Sequence, residues 1–317
     1  MVFWTSYPFW KVIRTKERFT KQRFTKQNIE SAYPLTYEWI DNTSSKEVGD
    51  YLRTYFGSPP QKPILAIPED ALLSPVDYLL VARDPHKNNM IVGTIRYHYL
   101  GTFNNETIHC VDCFCIHPLW RGKGVGDQLL TRLHRYANER DLPYALFLKE
   151  GAPLSILHFP LYTGTYVYRK LDTSETMNKY IMNLTTNQAY RLIEIYQKIN
   201  PNVFIIENNT GKNQWWKIYK NGIHSILVCF QDTYQQKEGK RMAWATAWLE
   251  SPLITDQIRE EASLMLSNPL YPAFEYVWMN QLWTGSLTHW IPDGQFHWYA
   301  YQWTTGLSIT RSYCILH

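Results

Sequence analysis

The sequence has no apolar run approaching the ~18 residues of a membrane-spanning helix, which predicts a soluble protein. Cysteine is scarce: there are five, an odd number, with Cys110, Cys113 and Cys115 close together and Cys229 and Cys314 far away. No charged-apolar-small leader stands at the start. A secreted disulfide framework is therefore excluded, and a reducing, cytoplasmic compartment is expected. Charge is low as well, at 19% of residues against a usual ~25%, so the composition is not that of a disordered chain. Repetition is nearly absent, the tandem Arg18-Phe-Thr-Lys-Gln22 and Arg23-Phe-Thr-Lys-Gln27 being too short to build a solenoid. Two common nucleotide fingerprints are missing: no Gly-x-Gly-x-x-Gly dinucleotide turn and no Gly-Lys-Ser/Thr triphosphate loop.

What the chain has in quantity is ring surface, with 13 Trp, 23 Tyr and 13 Phe, and apolar residues make up 45%. So much aromatic area predicts a deep core or an apolar ligand tunnel. At 317 residues the chain exceeds the size at which one core stops growing, so two domains are expected. The net charge of +4 is concentrated at the start, where Lys11, Arg14, Lys16, Arg18, Lys21, Arg23 and Lys26 face only Glu17, leaving the remaining body near −2. Whole-protein or sequence-specific nucleic-acid binding is thereby unsupported. The basic arm, residues 1–32, is left to stay solvated or to make transient contact with a ribosome or an anionic membrane.

Periodicity predicts a helix over Lys46 to Tyr55, then a long Pro-broken loop through Pro68. Strands are expected at Tyr78 to Ala82, Ile91 to Leu100 and Thr107 to Ile116. A helix with apolar Val125, Leu129, Leu130, Leu133, Tyr136 and Ala137 follows, then a strand from Tyr144 to Lys149 and an irregular one from Leu157 to Leu171. The second part repeats the logic: helix Gln188 to Ile199, strands near Ser225 to Phe230 and Met242 to Leu249, a helix Asp256 to Ser267 capped by Thr255, strand Glu275 to Met279, and a hairpin turn at Asp293-Gly294. The architecture read from this order is α+β, in two similar halves spanning 33–172 and 173–317.

The richest local signal is Arg121-Gly122-Lys123-Gly124-Val125-Gly126, joining a strand to an amphipathic helix. Glycines let backbone approach a ligand, and a helix N-terminus with two cations favours a phosphate. In that context the segment resembles the Arg/Gln-x-x-Gly-x-Gly/Ala pyrophosphate loop of the GNAT acyltransferases. The flanks narrow the likeness. Phe114-Cys-Ile-His117 leading into Arg121 and Lys123 is similar to the Phe-Leu-Cys-Val-His strand of the N-myristoyltransferases. Phe3-Trp4 with Pro8, Tyr33-Pro34-Leu35 with Glu38-Trp39, the series Leu157, Pro160, Thr163, Tyr166, Arg169, Leu171, and the run from Asn280 through Asp293, Tyr299 and Trp303 also resemble that family. The likeness spans nearly the whole chain and is weak between about 173 and 275.

This resemblance implies two tandem GNAT-like domains related by pseudo-two-fold symmetry, the first binding acyl-CoA and the second a peptide. It implies transfer of myristate from myristoyl-CoA to the N-terminal glycine of an acceptor peptide or protein, without a metal. Acyl-CoA would be held by Val2, Phe3, Trp4, Cys113, Phe114, Cys115, Ile116, the loop Arg121, Gly122, Lys123, Gly124, Val125 and Gly126, and Asp127. The acceptor would meet Tyr166, Tyr168, Asn280 and Asp293. Backbone N–H groups of Cys113 and Phe114 would stabilise the oxyanion, and the α-carboxylate of His317 would take the amine proton, with Asp112 as the substitute base. The sequence departs from the family in two places. Its Thr54 to Pro68 loop lacks the acidic run that faces basic peptides, and Asp112 and Ala152 replace an Asn and a Thr near the reacting amine. A GNAT N-acetyltransferase acting on a small-molecule or lysine amine, and an inactive acyl-CoA- or peptide-binding module, are the competing readings. The cluster His109, Cys110, Cys113, Cys115, His117 does not read as a metal site, because a strand points these side chains to both faces.

Overall fold

The computed structural model describes residues 33–40, 45–56, 64–142, 144–154, 160–171, 179–201, 203–206, 208, 213–270, 272–301 and 311–316. The strands are β1 Thr36–Ile40, β2 Tyr78–Asp84, β3 Met90–Phe103, β4 Glu106–Ile116, β5 Ala145–Glu150, β6 Tyr162–Lys170, β7 Ile181–Leu184, β8 Phe204–Ile205, β9 Gln214–Asn221, β10 His224–Lys237, β11 Lys240–Glu250, β12 Tyr276–Asn280, β13 Ile291–Tyr301 and β14 Tyr313–Cys314. The helices are α1 Ser45–Tyr55, α2 Glu69–Leu72, α3 Val125–Glu139, α4 Thr186–Ile199 and α5 Asp256–Ser267.

All the strands join one 14-stranded sheet whose order is β1-β2-β3-β4-β5-β13-β6-β12-β11-β10-β9-β7, with β14 and β8 attached beside β11. The order is a palindrome: β1 corresponds to β7, β2 to β9, β3 to β10, β4 to β11 and β5 to β12, around a centre between β13 and β6. Along this order each half contains one parallel pair, β4 with β5 and β11 with β12, joined through α3 and α5 respectively; beside it, β14 runs parallel to β8. Parallel neighbours need such a crossover, which is why an amphipathic helix separates each pair in sequence. The two-half α+β architecture expected from the sequence is thus present. Its central strands are exchanged: β6 belongs to the first half in sequence but pairs with β12, and β13 belongs to the second but pairs with β5.

Local sequence accounts for the helices. In α3, Val125, Leu129, Leu133 and Ala137 recur at helical spacing and are buried against β2 and β3, each large one contributing about 1.5–3 kcal/mol. Gly93 is what lets this helix sit close, since a Cβ there would lie 2.9 Å from Leu129 Cδ1 and 3.0 Å from Val125 Cγ1. Helix α5 is capped as expected, the Thr255 hydroxyl accepting from Ile258 N at 3.3 Å. Helix α4 begins two residues before the expected Gln188, because Thr185 and Gln188 close a capping box there. Helices α1 and α2 cover the opposite face from α3, over Val48, Leu52, Leu72, Leu79 and Val81.

One expectation is corrected. Asp293-Gly294 is not a hairpin turn but a bulge inside β13: Pro292 pairs with Val167 and Gln295 with Thr165, so β13 spends one residue more than β6. Gly294 has φ +101°, a conformation that suits a bulge as well as a turn, and the dipeptide alone does not separate them.

Candidate functional site

Strand β4 changes character at Asp112. Its parallel pairing with β5 covers only His109 to Val111 against Ala145 to Phe147, and beyond that the two strands are no longer registered. On its other edge β4 carries a bulge: Thr94 of β3 pairs with Cys115 and Arg96 with Asp112, so Ile95 alone stands opposite Cys113 and Phe114. Cys113 takes φ +47°, a left-handed conformation that costs a non-glycine residue about 1–2 kcal/mol. A buried hydroxyl holds it there, Thr94 Oγ1 donating to the Cys113 carbonyl at 2.7 Å. The backbone is therefore re-aimed where the sheet opens.

The same opening is braced by an ion pair. Arg96 donates through Nε to Asp112 Oδ1 at 2.7 Å and through Nη2 to Oδ2 at 2.6 Å, while Nη1 reaches the Leu72 carbonyl at 2.8 Å. Burial opposes the Arg96 charge, but the Asp112 carboxylate more than offsets it and holds the guanidinium protonated. Both oxygens of Asp112 are thus engaged by a cation, and any proton it accepted would have to break a bidentate pair. The cysteines are buried thiols. Burial raises Cys113 well above its ordinary value and pushes Cys115 up to about 11, which leaves no thiolate for nucleophilic work near neutral pH.

After β4, His117 turns the chain: its Nδ1 accepts from Leu119 N at 3.2 Å and caps the short turn Pro118–Trp120. Gly122 and Gly124 then take φ +73° and +76°. Among the described residues a Cβ at either would meet nothing within 4 Å, so these positions want glycine for torsional reasons. Gly124 is the N-cap of α3. Two cations flank that helix start. Arg121 Nε donates to the Ile116 carbonyl at 3.2 Å, and the Lys123 ammonium lies 5.0 Å from the Trp120 ring centre and 5.3 Å from that of Tyr33. Left-handed backbone, a helix dipole and two positive side chains together make a seat for a phosphate. Val125, Gly126 and Asp127 form the first turn, and burial raises the Asp127 carboxyl above its ordinary value.

A second group of side chains gathers where β5, β13, β6 and β12 meet. Tyr166 is buried between Phe296, stacked at 3.9 Å, and Trp278 at 4.5 Å, and its hydroxyl has no hydrogen-bond partner among the described residues. Asn280 is buried; its Nδ2 donates to the Tyr162 hydroxyl and, at 3.3 Å, to that of Tyr313, while its Oδ1 accepts from Leu282 N at 3.1 Å. Asp293 in the β13 bulge accepts from Lys237 Nζ at 3.2 Å, and the same ammonium stands 3.8 Å over the Tyr168 ring. Burial raises the Glu150 carboxyl above its ordinary value, with Asp293 acting in the same direction and Lys149 against it.

The segment after β5 is pinned to β13. His297 Nε2 donates to the Gly151 carbonyl at 3.0 Å, so its Nδ1 accepts from Thr163 Oγ1 at 2.9 Å, and Leu154 N donates to the Tyr299 hydroxyl at 2.9 Å. Ala152 lies within this clamp.

The sequence-derived residues fall into these two groups. Asp112, Cys113, Phe114, Cys115, Ile116 and Arg121 to Asp127 line the β4 opening and the α3 start, while Tyr166, Tyr168, Asn280 and Asp293 share the sheet centre. Val2, Phe3, Trp4 and His317 lie outside the described residues. Thr94, Arg96, Glu150, Lys237 and His297 were not legible as site residues. Arg96, the one formally charged residue of β3, was the local signal among them.

Residues 75–171 match the family model of the acetyltransferase (GNAT) domain. No curated protein matches the chain by sequence. Among solved structures, Saccharomyces cerevisiae N-myristoyltransferase with bound myristoyl-CoA is similar at a TM-score of 0.65 and 12% identity, covering 97% of this chain and 98% of that one. A second crystal structure of the yeast enzyme with myristoyl-CoA gives 0.63 and 12%, over 97% and 94%. The GCN5-related glucosamine N-acetyltransferase region of a fungal multi-domain GH3 β-N-acetylglucosaminidase gives 0.55 and 10%, over 89% of this chain and 40% of that one. At these identities the solved structures speak for the fold. Residues 75–171 thus carry a GNAT-type acyltransferase domain, within a whole-chain fold similar to that of the yeast enzyme.

Proposed function

We propose that this protein is an acyl-CoA-dependent N-acyltransferase that transfers a long acyl chain, myristoyl in the first instance, to the N-terminal glycine of a peptide or protein. The observation that carries the reading is the bulge at Cys113 and Phe114, placed where β4 leaves β5 and one short turn before the glycine loop that opens α3. A thioester whose pyrophosphate rests on Gly122, Gly124 and the first turn of α3, between Arg121 and Lys123, would lie along this opening. The re-aimed amides of Cys113 and Phe114 would then face the oxygen that gains charge, each such donor being worth about 10²–10³ in rate. Direct attack by the amine needs no covalent enzyme intermediate, consistent with the buried, high-pKa thiols.

The long chain is supported by the whole-chain likeness to a structure with bound myristoyl-CoA and by the aromatic core. An N-terminal amine suits a modest base, because at pKa ~7.7–8.0 roughly a tenth is neutral at pH 7. A second reading, acetyl transfer to a small amine, is favoured by the likeness to a glucosamine N-acetyltransferase region. Calorimetric titration with myristoyl-CoA and acetyl-CoA separates them. Twelve further methylenes at ~0.8 kcal/mol each set a ceiling near 10 kcal/mol, so binding at least 10³-fold tighter for myristoyl-CoA is expected. Equal affinities would reject the long-chain reading in favour of the second.

A further inference from the structure

Glu150 has the position and surroundings of a reacting group. It ends β5, three residues beyond Phe147, the last residue registered with β4; Phe114 lies three residues beyond Val111, the partner of Phe147. At ~3.3 Å per residue, Glu150 and the bulge stand level on the two lips of the same opening. Its cross-strand partner is Phe296, which packs over Gly164 so closely that a Cβ there would lie 2.5 Å from the ring. Glu150 therefore shares a sheet face with Phe296 and Tyr166. Glu150 is exposed to solvent, yet the protein around it and the charge of Asp293 raise its carboxyl above its ordinary value. The charged and titratable groups around it are Lys149 on its own strand, Asp293 from β13 and Tyr166 from β6, with Lys237 of β10 held by Asp293. Of the two carboxylates, Asp293 holds the Lys237 ammonium, at 3.2 Å. Beside them the buried Tyr166 hydroxyl has no hydrogen-bond partner among the described residues.

We propose that Glu150 takes the proton from the acceptor amine, and that with Asp293 it forms an anionic subsite drawing a cationic amine to the sheet centre. This rests on the N-acyltransferase reading. An arriving ammonium gives one proton to the Glu150 carboxylate. The neutral nitrogen attacks the thioester carbon, the N–C bond forms and the C–S bond breaks. A second nitrogen proton ends on the departing CoA sulfur, leaving the amide with one, and Glu150 returns its proton to solvent. The crowding of Glu150 and the charge of Asp293 make it a better base than an ordinary carboxylate, narrowing its gap to the amine.

The test is single-turnover acyl transfer from preloaded myristoyl-CoA to a peptide with an N-terminal glycine, between pH 5 and 9, with Glu150→Gln, Asp293→Asn and wild type. Wild type should show an acid limb with its midpoint above the ordinary glutamate value of ~4.3. Glu150→Gln should bind myristoyl-CoA within threefold of wild type, transfer at least 100-fold more slowly at pH 7, and rise about tenfold per pH unit toward the pKa of the amine itself. Asp293→Asn should move the acid limb to lower pH and raise the KM for the amine, neither of which a merely structural role would do. An unchanged rate and limb in Glu150→Gln overturns the proposal. So does loss of myristoyl-CoA binding in that variant alone, which would make Glu150 part of the thioester pocket. A folded wild type that neither binds acyl-CoA nor acylates any amine overturns the enzyme reading, and the proposal with it.

Discussion

Replacing Thr94 by Val removes one hydroxyl and keeps the shape of a side chain that is fully buried. The lost group is the donor that holds the Cys113 carbonyl at 2.7 Å. Leaving that carbonyl without it costs about 1–3 kcal/mol, and the left-handed strain of Cys113, about 1–2 kcal/mol, then works against the bulge unopposed. A urea titration should show a lower midpoint with an unchanged slope, corresponding to about 1–2 kcal/mol. The larger effect is expected on catalysis. If relaxation of the bulge withdraws one oxyanion donor, single-turnover transfer falls about 10²-fold, or about 2.7 kcal/mol of barrier. Acyl-CoA affinity should change less than threefold, since the loop at 121–124 is untouched. Thr94→Ser keeps the hydroxyl and should keep the rate. A Thr94→Val variant that transfers at the wild-type rate, or that loses affinity in proportion to rate, would refute the role assigned to the bulge.

Gly124→Asp and Gly124→Asn place side chains of one shape at a left-handed position both tolerate, so their difference reports charge: the aspartate should abolish CoA binding by calorimetry while the asparagine retains it, and equal affinities would remove the phosphate from this loop. His109, stacked on Tyr97 at 4.3 Å with no partner at Nδ1 among the described residues, is lowered to about 4 by burial, which His98 reinforces and Asp77 opposes. Its contribution is complete above the unfolded value of ~6.5 and is lost as pH falls from there toward 4, about 3 kcal/mol in all; chemical denaturation at pH 7 and 4.5 should show a smaller difference for His109→Phe than for wild type, and equal differences would discount it.

The elements that local chemistry specifies were legible in the sequence. Helix α3 announces itself by apolar spacing, α5 by Thr255, and the loop before α3 by glycines whose torsions the structure then requires. What was hidden depends on partners distant in sequence. Nothing near Asp112 reveals that Arg96, on the neighbouring strand, occupies both its oxygens. Glu150 is an unremarkable strand-end glutamate until Asp293, brought across the sheet, stands against it. Asp293-Gly294 reads as a hairpin because a bulge and a turn ask the same of glycine, and the strand pairing that decides between them lies in β6. Strands β9 and β13 were hidden too, their Trp and Tyr residues being as compatible with core or ligand as with a strand.

The exchange of β6 and β13 sets a schedule for synthesis. When residue 150 has emerged, the first half has every strand of its sheet except the one at its inner edge, which is supplied by residues 291–301. Strand β6 emerges soon afterwards with neither of its neighbours yet made. At about 5–20 residues per second, roughly 7–30 s separate β5 from the strand that covers it. During that interval an apolar sheet edge and an aromatic strand are both exposed. Neither half can complete its sheet before the other's strand is present, so the last pairing waits for the last long strand.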